Sequence, residues 1–185
     1  LMFFPYKDDN PRVLFPFVTF GIIILNVLVF LAQFWISGKD PDNGRSLVYM
    51  YGFVPAEFNP LTIFTSMFMH GGFMHLIGNM LYMWIFADNI EDNLGPSKFL
   101  IFYLLAGVGA AMTQVLMDTQ SQIPMVGASG AIGGVLGAYL INHPNAKVLV
   151  LIPFGFFSQL IKIRALYVLG FWFVLQFLSL IHISE

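Results

Sequence analysis

The chain of 185 residues contains no cysteine, and only 10% of its residues are charged. Without cysteine there are no disulfides, no thiol catalysis and no cysteine-bound metal, although the compartment stays open. The scarcity of charge excludes more, because a soluble domain carries about 25% charged residues. Ten acidic and eight basic side chains leave a net charge of −2, so the basic surplus that nucleic-acid binding needs is missing too. In the place of charge stand 58% hydrophobic and 17% aromatic residues, with a mean hydropathy of +0.79. That is too much apolar surface for one water-soluble core. The apolar residues also come in long uninterrupted runs, which reads as a polytopic membrane protein rather than a very apolar soluble one. No cleavable signal peptide is legible. Lys7, Asp8, Asp9 and Arg12 precede the first apolar run, no small-residue cleavage site follows it, and the run is expected to stay as an anchor.

Crossing a bilayer takes roughly 20 apolar residues, and the runs predict five spans within a single all-α domain, a transmembrane helical bundle over residues 1–185. They fall at about 13–35, 61–87, 98–117, 126–142 and 165–183. Between the first two lie a polar stretch rich in turn formers, 37–45, and an aromatic segment, 47–60, containing Pro55 and Pro60. The latter suits a loop at the membrane interface. Val148 to Ile161 is apolar but short, and Pro153 and Gly155 interrupt it. It is expected to be an interfacial or re-entrant segment. With the N-terminus in the cytoplasm, Lys7, Arg12, Lys98, Lys147, Lys162 and Arg164 face inward and Lys39 and Arg45 outward, in keeping with the positive-inside bias. The starts of the second and fourth spans then lie on the outer side.

Polar groups within a membrane segment are expensive and mark function, and three such features fall at similar depth. Gly127-Ala128-Ser129-Gly130 opens the fourth span, placing Ser129 where free backbone N–H groups and a positive helix end could stabilise an oxyanion. Flanking glycines such as Gly127 would let a substrate backbone approach. The short pattern fits a helix N-cap or a small packing residue equally well. In His75-Leu76-Ile77-Gly78-Asn79, the spacing of four puts His75 and Asn79 on one helix face, where both could donate to an oxyanion or simply bind two helices together. His70, beside Gly71-Gly72, reads as a structural hydrogen-bonding residue. So few histidines, without carboxylates or cysteines nearby, do not make a metal site, and no cofactor is implied. Third, Gly130, Gly133, Gly134, Gly137 and Ala138 form a ladder of small residues that lets another helix come close.

Taken in order, residues 70–80, the turn Ile90-Glu91-Asp92-Asn93-Leu94-Gly95, and residues 127–134 resemble the rhomboid family of intramembrane serine proteases. The resemblance implies a bundle open to the extracellular or periplasmic side that cleaves transmembrane segments of other proteins within the lipid bilayer. It assigns Ser129 as nucleophile, His75 and Asn79 as oxyanion-stabilising residues beside the Ser129 amide, and His70 as structural, with Gly130 and Gly134 close by. The family pattern has six spans, and the base histidine of its Ser–His dyad lies on the sixth, where the glycine ladder's partner helix is also expected. Only five spans are visible here, so the chain is expected to be truncated and inactive as it stands. His182 lies on the wrong helix and lacks the glycines that follow the family's histidine. A catalytically inactive relative that binds membrane-protein clients is the alternative. A transporter is disfavoured because the ionisable residues well inside the spans are histidines near one surface.

Overall fold

Helix α1 (Phe17–Lys39) begins behind Pro16, which offers its first turn no side-chain cap. The first amides of a helix lack intrahelical partners, and here a buried acid from a distant segment supplies them. Glu91 accepts Val18 N at 2.9 Å and both Thr19 N and Thr19 Oγ1 at 2.7 Å. Its neighbour Asp92 accepts Val13 N and Leu14 N. A carboxylate at the positive end of a helix is favourable, and this pair fixes α1 to residues Asp88–Leu94, expected as a turn but folded as a helix. The polarity of α1 is inverted relative to a soluble helix. Thr19, Asn26 and Gln33 are buried, while Ile24, Leu25, Leu28, Leu31, Phe34 and Trp35 point outward, an arrangement suited to lipid.

In the computed structural model, residues 4–11, 13–154 and 157–183 are described, with side chains except at positions 4, 41, 153–154, 157–158 and 177–183. The described residues are mostly helical. After α1 come α2 (Pro41–Tyr51), a short turn at Pro55–Glu57, α3 (Pro60–Ser66), α4 (Phe73–Tyr82), α5 (Asp88–Leu94), α6 (Pro96–Met117), α7 (Ser129–Asn142) and α8 (Ala165–Ile183). Three strands, β1 (Phe4–Asp8), β2 (Lys147–Phe154) and β3 (Phe157–Arg164), complete it.

Several expectations change. By length and composition, two helices among the described residues are suited to crossing a membrane, α1 and α6. The run at 61–87 is not one rod. It is α3, a bend at His70-Gly71-Gly72, then α4 continued by a π-helical turn at Met83–Ala87. Helix α7 has 14 residues. The stretch read as turn and interfacial loop at 37–60 holds a helix, because Asp40 caps α2 through Asp42 N and Pro41 sits at its first position.

The larger correction concerns 148–161, which is neither a re-entrant nor a helical segment. It lies in a β-hairpin, Lys147 to Arg164, and β1 joins to give an antiparallel sheet in the order β1-β2-β3, so the fold is not purely α. Val148 and Val150 are fully buried and Ile152 is partly so, while Lys147 is exposed. That period of two, in β-branched residues, is a strand pattern. The sheet's inner face continues the main core through Val148 and Val150, with Phe86, Ile90, Tyr139 and Leu169.

The glycine ladder also divides. A Cβ on Gly130 or Gly134 would lie 2.5 Å from the Cβ of Ala110 or Ala106 on α6, so this face is filled by the third expected span rather than left for a sixth. Gly133 turns towards Phe173 and Trp172 of α8 at 3.7 and 4.0 Å, and a Cβ on Gly137 meets nothing within 4 Å.

Candidate active site

The loop before α7 is set by backbone bonds at its two ends. Phe53 and Met125 exchange N–H···O bonds of 3.0 and 2.8 Å, and Gly127 N donates to Ser66 O at 2.9 Å. Gly127 adopts φ +123°, a conformation open to glycine and rarely to other residues. Ser129 follows as the first residue of α7. The N-cap position is Ala128, without a side-chain cap bond, so Ser129 does not act as the cap. It is half-buried, and among the described residues no partner hydrogen-bonds its Oγ. Next to it a small cavity of about 50 Å³ reaches between α3 and α6, lined in part by Ser66, Met67, Gly107, Ala111, Gly127 and Ser129.

Helix α4 brings its polar face to this loop. A Cβ on Gly127 would fall 2.7 Å from both Cε1 and Nε2 of His75 and 3.6 Å from Asn79 Nδ2. The pair spaced four apart thus lies against the backbone that leads into Ser129. Asn79 is buried, and its Nδ2 lies 3.0 Å from His70 Nε2. Since an amide nitrogen carries two N–H groups, one remains for another acceptor. His70 is itself buried and fixed through its backbone. His70 N donates to Gln33 Oε1 at 3.1 Å, and Gln33 Nε2 donates to His70 O at 3.3 Å. The His70 and His75 rings stand edge to face with centroids 5.1 Å apart.

The geometry therefore gathers Gly127, His75, Asn79 and His70 around the start of α7, with Gly130 and Gly134 in the adjoining helix contact. It supplies amide, imidazole and backbone donors, but no acid–base partner for Ser129 among the described residues. His143 is at the far end of α7 with Asn93 (3.2 Å), and the His182 side chain lies outside those described. No group of three or more metal-ligating side chains occurs among the described residues. Gln33 and Ser66 escaped sequence reasoning. Gln33 is an uncharged polar residue in an otherwise apolar run, and scanning for charge alone passes over it.

A rhomboid domain model matches residues 57–185. Similar proteins include presenilin-associated rhomboid-like protein A, mitochondrial, of Danio rerio, 34% identical over 79% of this chain and 38% of its own length. The human presenilin-associated rhomboid-like protein is 32% identical over 71% of this chain and 34% of its own length. The protein YdcA of Bacillus subtilis is 31% identical over 69% of this chain and 62% of its own length. The first relatives matched are spanned by this chain over 25%, 38% and 28% of their length.

Proposed function

Because the chain belongs to the rhomboid family of membrane proteins, we propose that the whole protein is a serine endopeptidase cutting transmembrane segments of other membrane proteins, with Ser129 as nucleophile. The observation that carries this reading is the contact between Gly127 and His75 at φ +123°. It brings an imidazole and the Asn79 amide beside the backbone at the positive end of α7, where a developing negative charge is best stabilised.

The reaction is acyl transfer. Ser129 Oγ attacks a peptide carbonyl carbon while its proton passes to a histidine base, and the tetrahedral oxyanion is held by His75, Asn79 and the Ser129 N–H. Collapse expels the amine, which takes that proton, and leaves an acyl-enzyme. Water then repeats the attack on the acyl carbon, the base accepting its proton and returning it to Ser129 Oγ as the ester bond breaks. Losing one oxyanion donor costs about 10²–10³ in rate. The dyad's histidine is not among the described neighbours of Ser129, so the activity is proposed for the whole protein, not for this stretch by itself.

The proposed topology is multi-pass, with the N-terminus in the cytoplasm and Ser129 towards the extracellular or periplasmic side. It is supported by the sheet that ties β1 to β2, which puts Lys7, Lys147, Lys162 and Arg164 at the end of the bundle opposite Ser129. A second reading is a rhomboid-like protein that binds membrane-protein clients without cutting them. A fluorophosphonate probe on the full-length protein separates the two. Labelling that disappears in Ser129→Ala is expected, and a folded full-length protein that takes no label overturns the protease reading.

A further inference from the structure

The outer face of the sheet has an unusual composition. Side chains alternate across a strand and directly paired residues share a face. Since Val148 and Val150 are buried inside, the other face carries the row Lys147–Arg164, the row Lys7–Leu149–Lys162 and the row Leu151–Leu160. Half of the chain's eight cations therefore stand in two adjacent rows, all four exposed. Like charges set directly opposite one another destabilise a sheet, and Lys147 faces Arg164. Among the described residues no carboxylate forms an ion pair with any of the four. Asp9, the nearest acid by bonding, accepts the Lys147 amide at 2.8 Å, and Asp8 is buried on the inner side with Tyr139 and Asn89.

The next row, Leu151–Leu160, is apolar, and Leu160 is 54% exposed. Arg164 directly precedes Ala165, the first residue of the apolar helix α8, whose Leu166 and Tyr167 also face outward. The cations thus stand at the start of the apolar helix α8 beside exposed leucines and a tyrosine, the combination that binds a charged interface. We propose that this face of the β1-β2-β3 sheet rests on the anionic headgroups of the adjacent membrane leaflet, with Lys7, Lys147, Lys162 and Arg164 taking the phosphates and the leucine row meeting the acyl boundary. An acidic polypeptide would answer the charge but would leave the leucines without a partner. This inference is independent of the protease reading.

These 185 residues contain no cysteine, so a single probe can be introduced once any cysteine elsewhere in the full-length protein is replaced by serine. Full-length protein carrying Leu160→Cys, labelled with an environment-sensitive fluorophore, is placed in nanodiscs of phosphatidylcholine alone or with one-third phosphatidylglycerol. The expected result is blue-shifted emission and quenching by lipid-borne quenchers only with the anionic lipid, both reversed by salt. Lys162→Gln with Arg164→Gln is expected to weaken the preference about 5-fold per charge removed, and Lys162→Arg with Arg164→Lys to keep it. If the glutamine pair fails to fold, the salt titration of the singly labelled protein decides alone. Emission that ignores lipid charge overturns the proposal, as does protection of the probe by polyglutamate but not by anionic lipid.

Discussion

Replacing Gly127 by alanine tests the contact on which the candidate site turns. Two costs add. Alanine at φ +123° occupies a backbone region that costs about 1–3 kcal/mol. Its Cβ would also meet the His75 ring at 2.7 Å, where ordinary contact begins at 3.4 Å, so the ring must retreat by about 0.7 Å. His75 is packed edge to face on His70, which in turn is bonded to Asn79, so the displacement is shared among three side chains rather than absorbed by one. Overpacking of this kind costs about 1–3 kcal/mol, and the sum is about 2–6 kcal/mol. Gly78→Ala is the matched control, because it lies between His75 and Asn79 on α4 and its Cβ would meet nothing within 4 Å. Alanine's better helix propensity should leave that variant unchanged or more stable by up to about 1 kcal/mol. Equilibrium unfolding in mixed micelles measures both. Fluorophosphonate labelling of the full-length protein should fall with Gly127→Ala and persist with Gly78→Ala. Should the two variants unfold within about 0.5 kcal/mol of each other, a scale typical of substitutions without structural consequence, the packing of His75 on Gly127 is refuted.

Two further predictions concern the opposite end of the bundle. Glu91→Gln replaces one accepting oxygen by a carboxamide NH2 that sets donor against donor at the α1 amides, and should cost about 2–4 kcal/mol. Thr19→Val, which removes a single hydroxyl bond to Glu91, should cost about 1 kcal/mol in the same unfolding assay; equal losses from the two would argue against the clamp. Burial raises the carboxyl of Asp8 above its ordinary value of 3.8, with bonds from Tyr139 and Asn10 opposing the shift. The native state then holds its proton to higher pH than the unfolded chain, so the Asp8 contribution to stability declines as pH rises above 3.8. Unfolding measured from pH 3.5 upward should show the stability advantage of wild type over Asp8→Asn shrinking as pH rises, and an advantage that grows would reverse the assignment.

Much of the helical plan was legible because long apolar runs without breakers favour helix: α6 begins and ends within two residues of the run expected at 98–117, and α8 occupies the run at 165–183. The hairpin was misread because Val148, Val150 and Ile152 alternate with leucines that are themselves apolar, so the period of two is hidden by hydrophobicity on both faces. Spacing alone could place His75 and Asn79 on one face of α4, since four residues make one turn, but the face turned to Gly127 depends on the bend at Gly71-Gly72 and on the Ser66–Gly127 bond. Residue spacing carries neither. The small residues of α7 announced a close helix contact, yet their division between Gly130/Gly134 and Gly133/Gly137 depends on which neighbours arrive, a tertiary matter.

The carboxylate that caps α1 gives assembly a direction in time. The first turn of α1 is made about seventy residues before Glu91, and in hydrocarbon its bare amides would each cost several kcal/mol. During synthesis that end of α1 must therefore remain where water can reach it until residue 91 has emerged and folded back. A span that looks autonomous by hydropathy is in this sense provisional, docked to its final depth only when α5 arrives to receive it.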